Sequence, residues 1–102
     1  MGIIFSSPCV LGKRIRLSET RWTLICTRKH PELAGRQVLV ARTIHDADFV
    51  RRSRYDSSIY LYYLAYNEYW LCVVCRIENG TGYVVTAYLT DRMKKWDDLW
   101  TR

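Results

Sequence analysis

The sequence predicts an α+β domain, with two N-terminal helices packed on one face of a three- to four-stranded antiparallel sheet. Three observations carry that reading. Apolar residues recur at helical spacing in the first half of the chain, the period changes to two after Ser58, and Asn79-Gly-Thr-Gly82 is a strong hairpin signal. Helices first and an antiparallel meander afterwards suits helices layered on one sheet face, leaving the other face for solvent or a ligand.

Residues 1–13 read as an irregular arm leading into Arg14-Ile-Arg-Leu17. Ser18 is a good helix N-cap, and Glu19 complements the dipole in the first turn. Trp22, Ile25, Cys26 and Leu33 follow near helical spacing. His30 precedes Pro31, which disfavours helical geometry at His30 and predicts a break there, after which Pro31 opens a new turn. Gly35 separates a second helix, about Arg36 to Ile44, with Val40 and Ile44 inward. His45-Asp-Ala-Asp48 is a polar connection followed by Phe49-Val-Arg-Arg-Ser53. Ser58 to Tyr66 and Tyr69 to Glu78 read as strands joined by an Asn67-Glu68 turn. A third strand runs from Tyr83 to Leu89, with Val84, Thr86 and Tyr88 expected on one face. Residues 91–102 form a charged tail with Trp96, Leu99 and Trp100 as anchors.

A chain of 102 residues holds one domain with one modest core. Apolar residues at 49% and charged residues at 25% argue against disorder. The longest uncharged run is too short and tyrosine-rich to span a bilayer. Met1 to Leu11 has no basic residue ahead of it and no small-residue cleavage site, so it does not read as a signal peptide, and the expected location is cytoplasmic.

The charge is uneven. Residues 1–56 carry eleven Lys and Arg against five acids, whereas residues 57–102 carry five of each. A localised basic face suits RNA or an acidic protein partner, and it also suits a solvated basic surface. Cys72 and Cys75 form a C-x-x-C inside a strand, where side chains three apart point to opposite faces. No second C-x-x-C or His pair completes a metal set, so no metal or cofactor is expected, and the cysteines read as buried reduced thiols.

Four pieces in order are similar to a recurring bacterial and phage family. They are Ile15-Arg-Leu-Ser18 leading to Arg21-Trp-x-x-Ile25, His30-Pro-Glu-Leu33, the Asp46-Ala-Asp48 connection, and the pair Tyr69-Trp-Leu-Cys-Val-Val74 and Gly82-Tyr-Val-Val-Thr-Ala-Tyr88, followed by Lys94 and Trp100. Over roughly residues 14–100 the chain resembles the barnase–EndoU–colicin–RelE class of RNA-cleaving toxins. The resemblance implies a metal-independent endoribonuclease toxin restrained by a partner antitoxin. Relatives often carry a histidine where this chain has Leu24, and a proline where it has Ala47. Leu24 therefore favours a second reading, a catalytically silent RNA- or protein-binding module. A third, an accessory subunit of a larger assembly, would explain long tyrosine-rich strands that need cover.

RNA cleavage without a metal needs a base, an acid and groups that stabilise the crowded phosphate. His30 is the candidate acid or base, or else it caps a helix end at Pro31. His45 reads as a surface residue of its loop. Arg54 is the candidate phosphate clamp, or else an ion-pair partner of Asp56. Thr86 and Tyr88 are candidate transition-state donors, or else ordinary strand packing. Arg42, Arg51, Arg52 and Lys94 are candidate RNA contacts, Lys94 together with Lys95 reading equally as a solvated tail. Tyr60, Tyr62, Tyr63 and Tyr66 would either stack on bases or pack the sheet.

Overall fold

In the computed structural model, which describes residues 2–94 and 97–102, the alternating segments pair across a wider sheet than the sequence suggests. Among the described residues there are seven strands: β1 (Ile3–Pro8), β2 (Arg14–Ser18), β3 (Phe49–Arg52), β4 (Ile59–Tyr66), β5 (Tyr69–Glu78), β6 (Thr81–Thr90) and β7 (Asp97–Thr101). Their order is β1-β2-β6-β5-β4-β3-β7. All neighbours are antiparallel except β2 and β6, which run parallel over Arg14–Arg16 against Thr81–Tyr83.

The expected two helices on a three- to four-stranded antiparallel sheet is thus corrected to a seven-stranded mixed sheet with two short helices. The difference lies at the ends of the chain. Residues read as an irregular arm form a hairpin, turned at Gly12, which sits at φ 79° where a side chain would be strained. Phe49–Arg52 and the tail become neighbouring strands, with Val50 opposite Trp100. Trp100 packs against the main core, Leu99 is exposed, and Trp96 lies outside the described residues.

The central meander follows its turn chemistry. Asn79 and Gly80 both adopt positive φ, at 57° and 83°, which suits the twist of a two-residue hairpin loop. Within β6 a bulge opposes Val74 and Cys75 with Thr86 and Val84, leaving Val85 as the extra residue. Val84 consequently joins the helix-side core, while Thr86 and Tyr88 belong to the opposite face. The single face expected for all three is corrected by that one inserted residue.

Helix α1 (Glu19–Leu24) starts where Ser18 Oγ accepts from the Arg21 amide at 3.1 Å. It widens into a π-helical turn over Ile25–Lys29, stops at His30, and resumes as a 3-10 turn over Pro31–Leu33. Helix α2 (Gln37–His45) follows Gly35 and buries Val40, Thr43 and Ile44. Both helices cover one sheet face, where Ile15, Leu17, Trp22, Ile25, Leu33, Tyr62, Leu71, Val73 and Cys75 complete the main core.

The other face is not bare. Leu61, Tyr63 and Cys72 form a second cluster, joined by Phe49, Trp70, Tyr88 and Met93. Met93 arrives on the segment that leaves β6. There the Lys94 amide donates to Tyr63 Oη at 3.1 Å, and Arg51 donates to the Lys94 carbonyl at 2.9 Å. Cover for the tyrosine-rich strands therefore comes partly from this chain itself. Cys72 and Cys75 fall in opposite clusters, and all four cysteines are free thiols.

Candidate functional site

β2 reaches only as far as Tyr83, so among the described residues the β6 edge from Val84 onward has no strand beside it on that side. The chain from α1 to Leu33 passes this edge and delivers His30. The break at Pro31 fixes the delivery, because His30 adopts φ −138° and ψ 71°, outside helical geometry. Its imidazole lies 5.7 Å from the Tyr88 ring, centroid to centroid and tilted by 32°. Glu32, from the turn that Pro31 opens, places a carboxylate oxygen 3.5 Å from His30 Nδ1. The imidazole is 29% exposed, so it is held on two sides yet still reachable.

Tyr88 also lines a cavity of about 390 Å³, together with Thr90, Arg92, Met93 and Lys94. Arg92 is almost fully exposed, with Asp91 at 4.0 Å. The Lys94 charge reaches Cys72, where it opposes burial, the dominant effect, which pushes that thiol up to about 12. Burial also raises the Tyr88 hydroxyl well above its ordinary value, and the hydrogen bond to Cys72 adds to the rise. Tyr88 thus remains protonated with its hydroxyl engaged by Cys72. What it offers His30 is its ring.

Of the expected catalytic residues, the structure brings His30 and Tyr88 together, and Thr86 shares the strand face of Tyr88. Thr86 Oγ1 is closed to solvent and has no hydrogen-bond partner among the described residues. As a group sealed beneath the surface, it does not meet a substrate as the expected donor would. Arg54 does not join them. It follows β3 at the opposite end of the sheet, where its side chain is 60% exposed and lies 3.9 Å from Asp97. Asp56 pairs instead with Arg76, at 3.2 Å.

The expected RNA contacts also separate. Lys94 lines the Tyr88 cavity. Arg51 ties the segment after β6 to the sheet through the Lys94 carbonyl and lies 3.3 Å from Asp98. Arg52 donates to Tyr60 Oη at 2.8 Å and stacks over that ring. Arg42 is exposed on α2, across the sheet from Tyr88. The proposed base platforms at Tyr60, Tyr62 and Tyr63 are buried, because β4 is covered on both faces, while Tyr66 receives Arg36. His45 is a surface residue beside Asp46.

Glu32 and Arg92 are the site residues that pattern reading missed. Glu32 stood in the His30-Pro-Glu motif, and only the 3-10 turn shows its carboxylate facing back to the imidazole. Leu24 borders Glu19, Thr20, Thr23 and Thr27 on the outer surface of the helix, none of them in the His30 site. Among the described residues, no three His, Cys, Asp or Glu side chains group as a metal site, and no helix is long and apolar enough to cross a membrane. No family model matches the chain, and comparison with curated proteins and with solved structures gives no match, so its chemistry rests on these residues alone.

Proposed function

We propose that the chain is an endoribonuclease that cleaves through the 2′-hydroxyl of its substrate, with His30 as the acid–base group. The observation that carries this reading is the reachable imidazole, held by Glu32 and by the Tyr88 ring, which itself lines a cavity bearing Arg92 and Lys94. A carboxylate next to one imidazole nitrogen leaves the other to act on substrate, the usual arrangement of an oriented base. His30 takes the 2′-hydroxyl proton, O2′ bonds to phosphorus, and the bond from phosphorus to the 5′-oxygen breaks. The proton on the imidazole is then available to the departing oxygen, and a 2′,3′-cyclic phosphate remains. Arg92 and Lys94 oppose the charge gathering on the phosphoryl oxygens. Tyr88 acts as a positioning residue.

The family resemblance extends the proposal to a cytoplasmic toxin held in check by an antitoxin protein. The silent-module reading draws on Leu24, but that residue stands apart from the His30 cluster, which favours activity. The test is cleavage of RNA by the purified protein in excess chelator, with the same sequence as DNA left whole. His30→Ala should lower the rate by about a hundredfold or more, the scale of a lost general acid or base, with folding unchanged. An inactive wild type, or a His30→Ala protein that cuts as fast per folded molecule, would overturn the proposal.

A further inference from the structure

We infer that a second subsite, formed by Arg16, Arg21 and Tyr83, holds one nucleotide of a single-stranded RNA, an inference that rests on the ribonuclease reading for its choice of ligand. The alternation in β2 buries Ile15 and Leu17 and sends Arg14 and Arg16 to the face opposite the helices. In register, Arg16 lies beside Tyr83, and Tyr83 lies beside Arg76 on β5. An exposed aromatic ring thus stands between two arginines on neighbouring strands, and directly paired side chains are about 5 Å apart at Cβ. Tyr83 is 41% exposed, unlike the tyrosines of β4, so its ring is free to receive a base. Arg21, on α1, joins Arg16, Ser18, Tyr83 and Ile3 around a cavity of about 300 Å³.

The arginines of this region differ in one respect. Arg14 is bonded to Ser6, Arg76 to Asp56 and Ser58, and Arg51 to Lys94. The guanidinium groups of Arg16 and Arg21 have no hydrogen-bond or ion-pair partner among the described residues. Glu19, the nearest acid in sequence, directs its carboxylate to the Gly2 amide at 3.2 Å. Two unpaired guanidinium groups at one cavity suit a phosphate, which accepts such donors bidentately. An open ring beside them suits a base, and the pairing of cationic groups with an aromatic platform is how single strands are held.

Position supports the link to the His30 site. Tyr83 and Tyr88 lie on one strand, about 15 Å apart at the rise of an extended chain. A short oligonucleotide along β6 would touch both. The subsite would therefore fix which phosphate stands at His30, and would contribute to affinity rather than to the chemical step.

The test is fluorescence-monitored binding of a 2′-O-methyl RNA oligonucleotide, which lacks the nucleophile and stays intact. Tyr83→Ala should weaken binding by about tenfold, the scale of one lost stack. Arg16→Gln and Arg21→Gln should each lower the salt dependence by about one counterion. Arg42→Gln, across the sheet, should bind as wild type. Arg16 and Tyr83 are exposed, so their variants carry the test if Arg21→Gln fails to fold. Loss of binding in these variants with no cleavage of ordinary RNA by the wild type would sink the ribonuclease reading and keep the subsite. Cleavage by the wild type with unchanged binding in all three variants would sink the subsite alone. A wild type that does not bind the strand, or a site competed by polyglutamate and indifferent to Tyr83→Ala, overturns the inference.

Discussion

Tyr62 donates its phenolic hydroxyl to Cys9 Sγ across 3.0 Å of buried interior, joining β4 to the turn after β1 over 53 residues of sequence. Burial drives the hydroxyl far above its ordinary value, so it remains a donor at every physiological pH. The two ends of this bond are unequal. Tyr62→Phe removes a hydroxyl and leaves behind a thiol, a weak acceptor, so it should cost only about 1 kcal/mol. Cys9→Ala leaves the hydroxyl unpaired in the core and adds a small void, and should cost about 2–3 kcal/mol. Urea unfolding of both variants checks the asymmetry, and equal losses would contradict it.

Thr86 offers a sharper separation of stability from function. Its Oγ1 is sealed from solvent without a partner among the described residues, a state that costs about 1–3 kcal/mol. Thr86→Val keeps the shape and removes the unpaired hydroxyl. The variant should melt at the wild-type temperature or above it, and RNA cleavage should stay within about threefold, well short of a lost catalytic group. A tenfold loss of rate at full stability would make Thr86 a donor to the substrate.

Asp56 predicts an acid-sensitive loop. Ser58 donates to its carboxylate through the hydroxyl at 2.7 Å and the amide at 3.0 Å, and Arg76 approaches at 3.2 Å. These contacts, the Ser58 hydroxyl first, hold the carboxyl below its usual range. A group lowered by folding stabilises the native state above its unfolded value, near 4, and loses that contribution as pH falls through the folded value. Asp56→Asn should therefore be less stable than wild type at neutral pH, and the gap should close on acidification below about pH 4. Unfolding curves from pH 7 to 2 would show it, and a gap independent of pH would remove Asp56 from the account.

Much of the centre of the fold was legible in the sequence, because there local chemistry and tertiary structure agree. Ser18 caps α1, Pro31 breaks the chain at His30, and Asn79-Gly80 turns β5 into β6. The flanks were not. Ile3-Ile-Phe5 lacks alternation, and the parallel partner that makes β2 a strand arrives only at Thr81. Arg14-Ile-Arg-Leu17 does alternate, and that pattern alone would have placed Arg16 on a solvent face. The bulge at Val85 is invisible to a period-two count, which is why Val84 was grouped with Thr86. For the candidate site, the His30-Pro-Glu motif and the Thr86-Ala-Tyr88 strand supply the two rings that meet, those of His30 and Tyr88. Charge counting did not distinguish Arg51 and Arg52, which brace the fold, from Arg16 and Arg21, whose guanidinium groups have no partner among the described residues.

The placement of β2 beside β6 and of β7 beside β3 has a consequence for synthesis. As the chain emerges from its N-terminus, the first hairpin must wait for Thr81–Tyr83 before its inner edge is covered. β3 can join β4 across a short connection, but its outer edge waits longer, for β7. The β4–β5–β6 meander needs only near neighbours and short turns, so it can form early and serve as the template. The first hairpin and β7 then dock late, through contacts distant in sequence, and a chain stalled before Asp97 would leave the outer β3 edge unpaired and open to another copy.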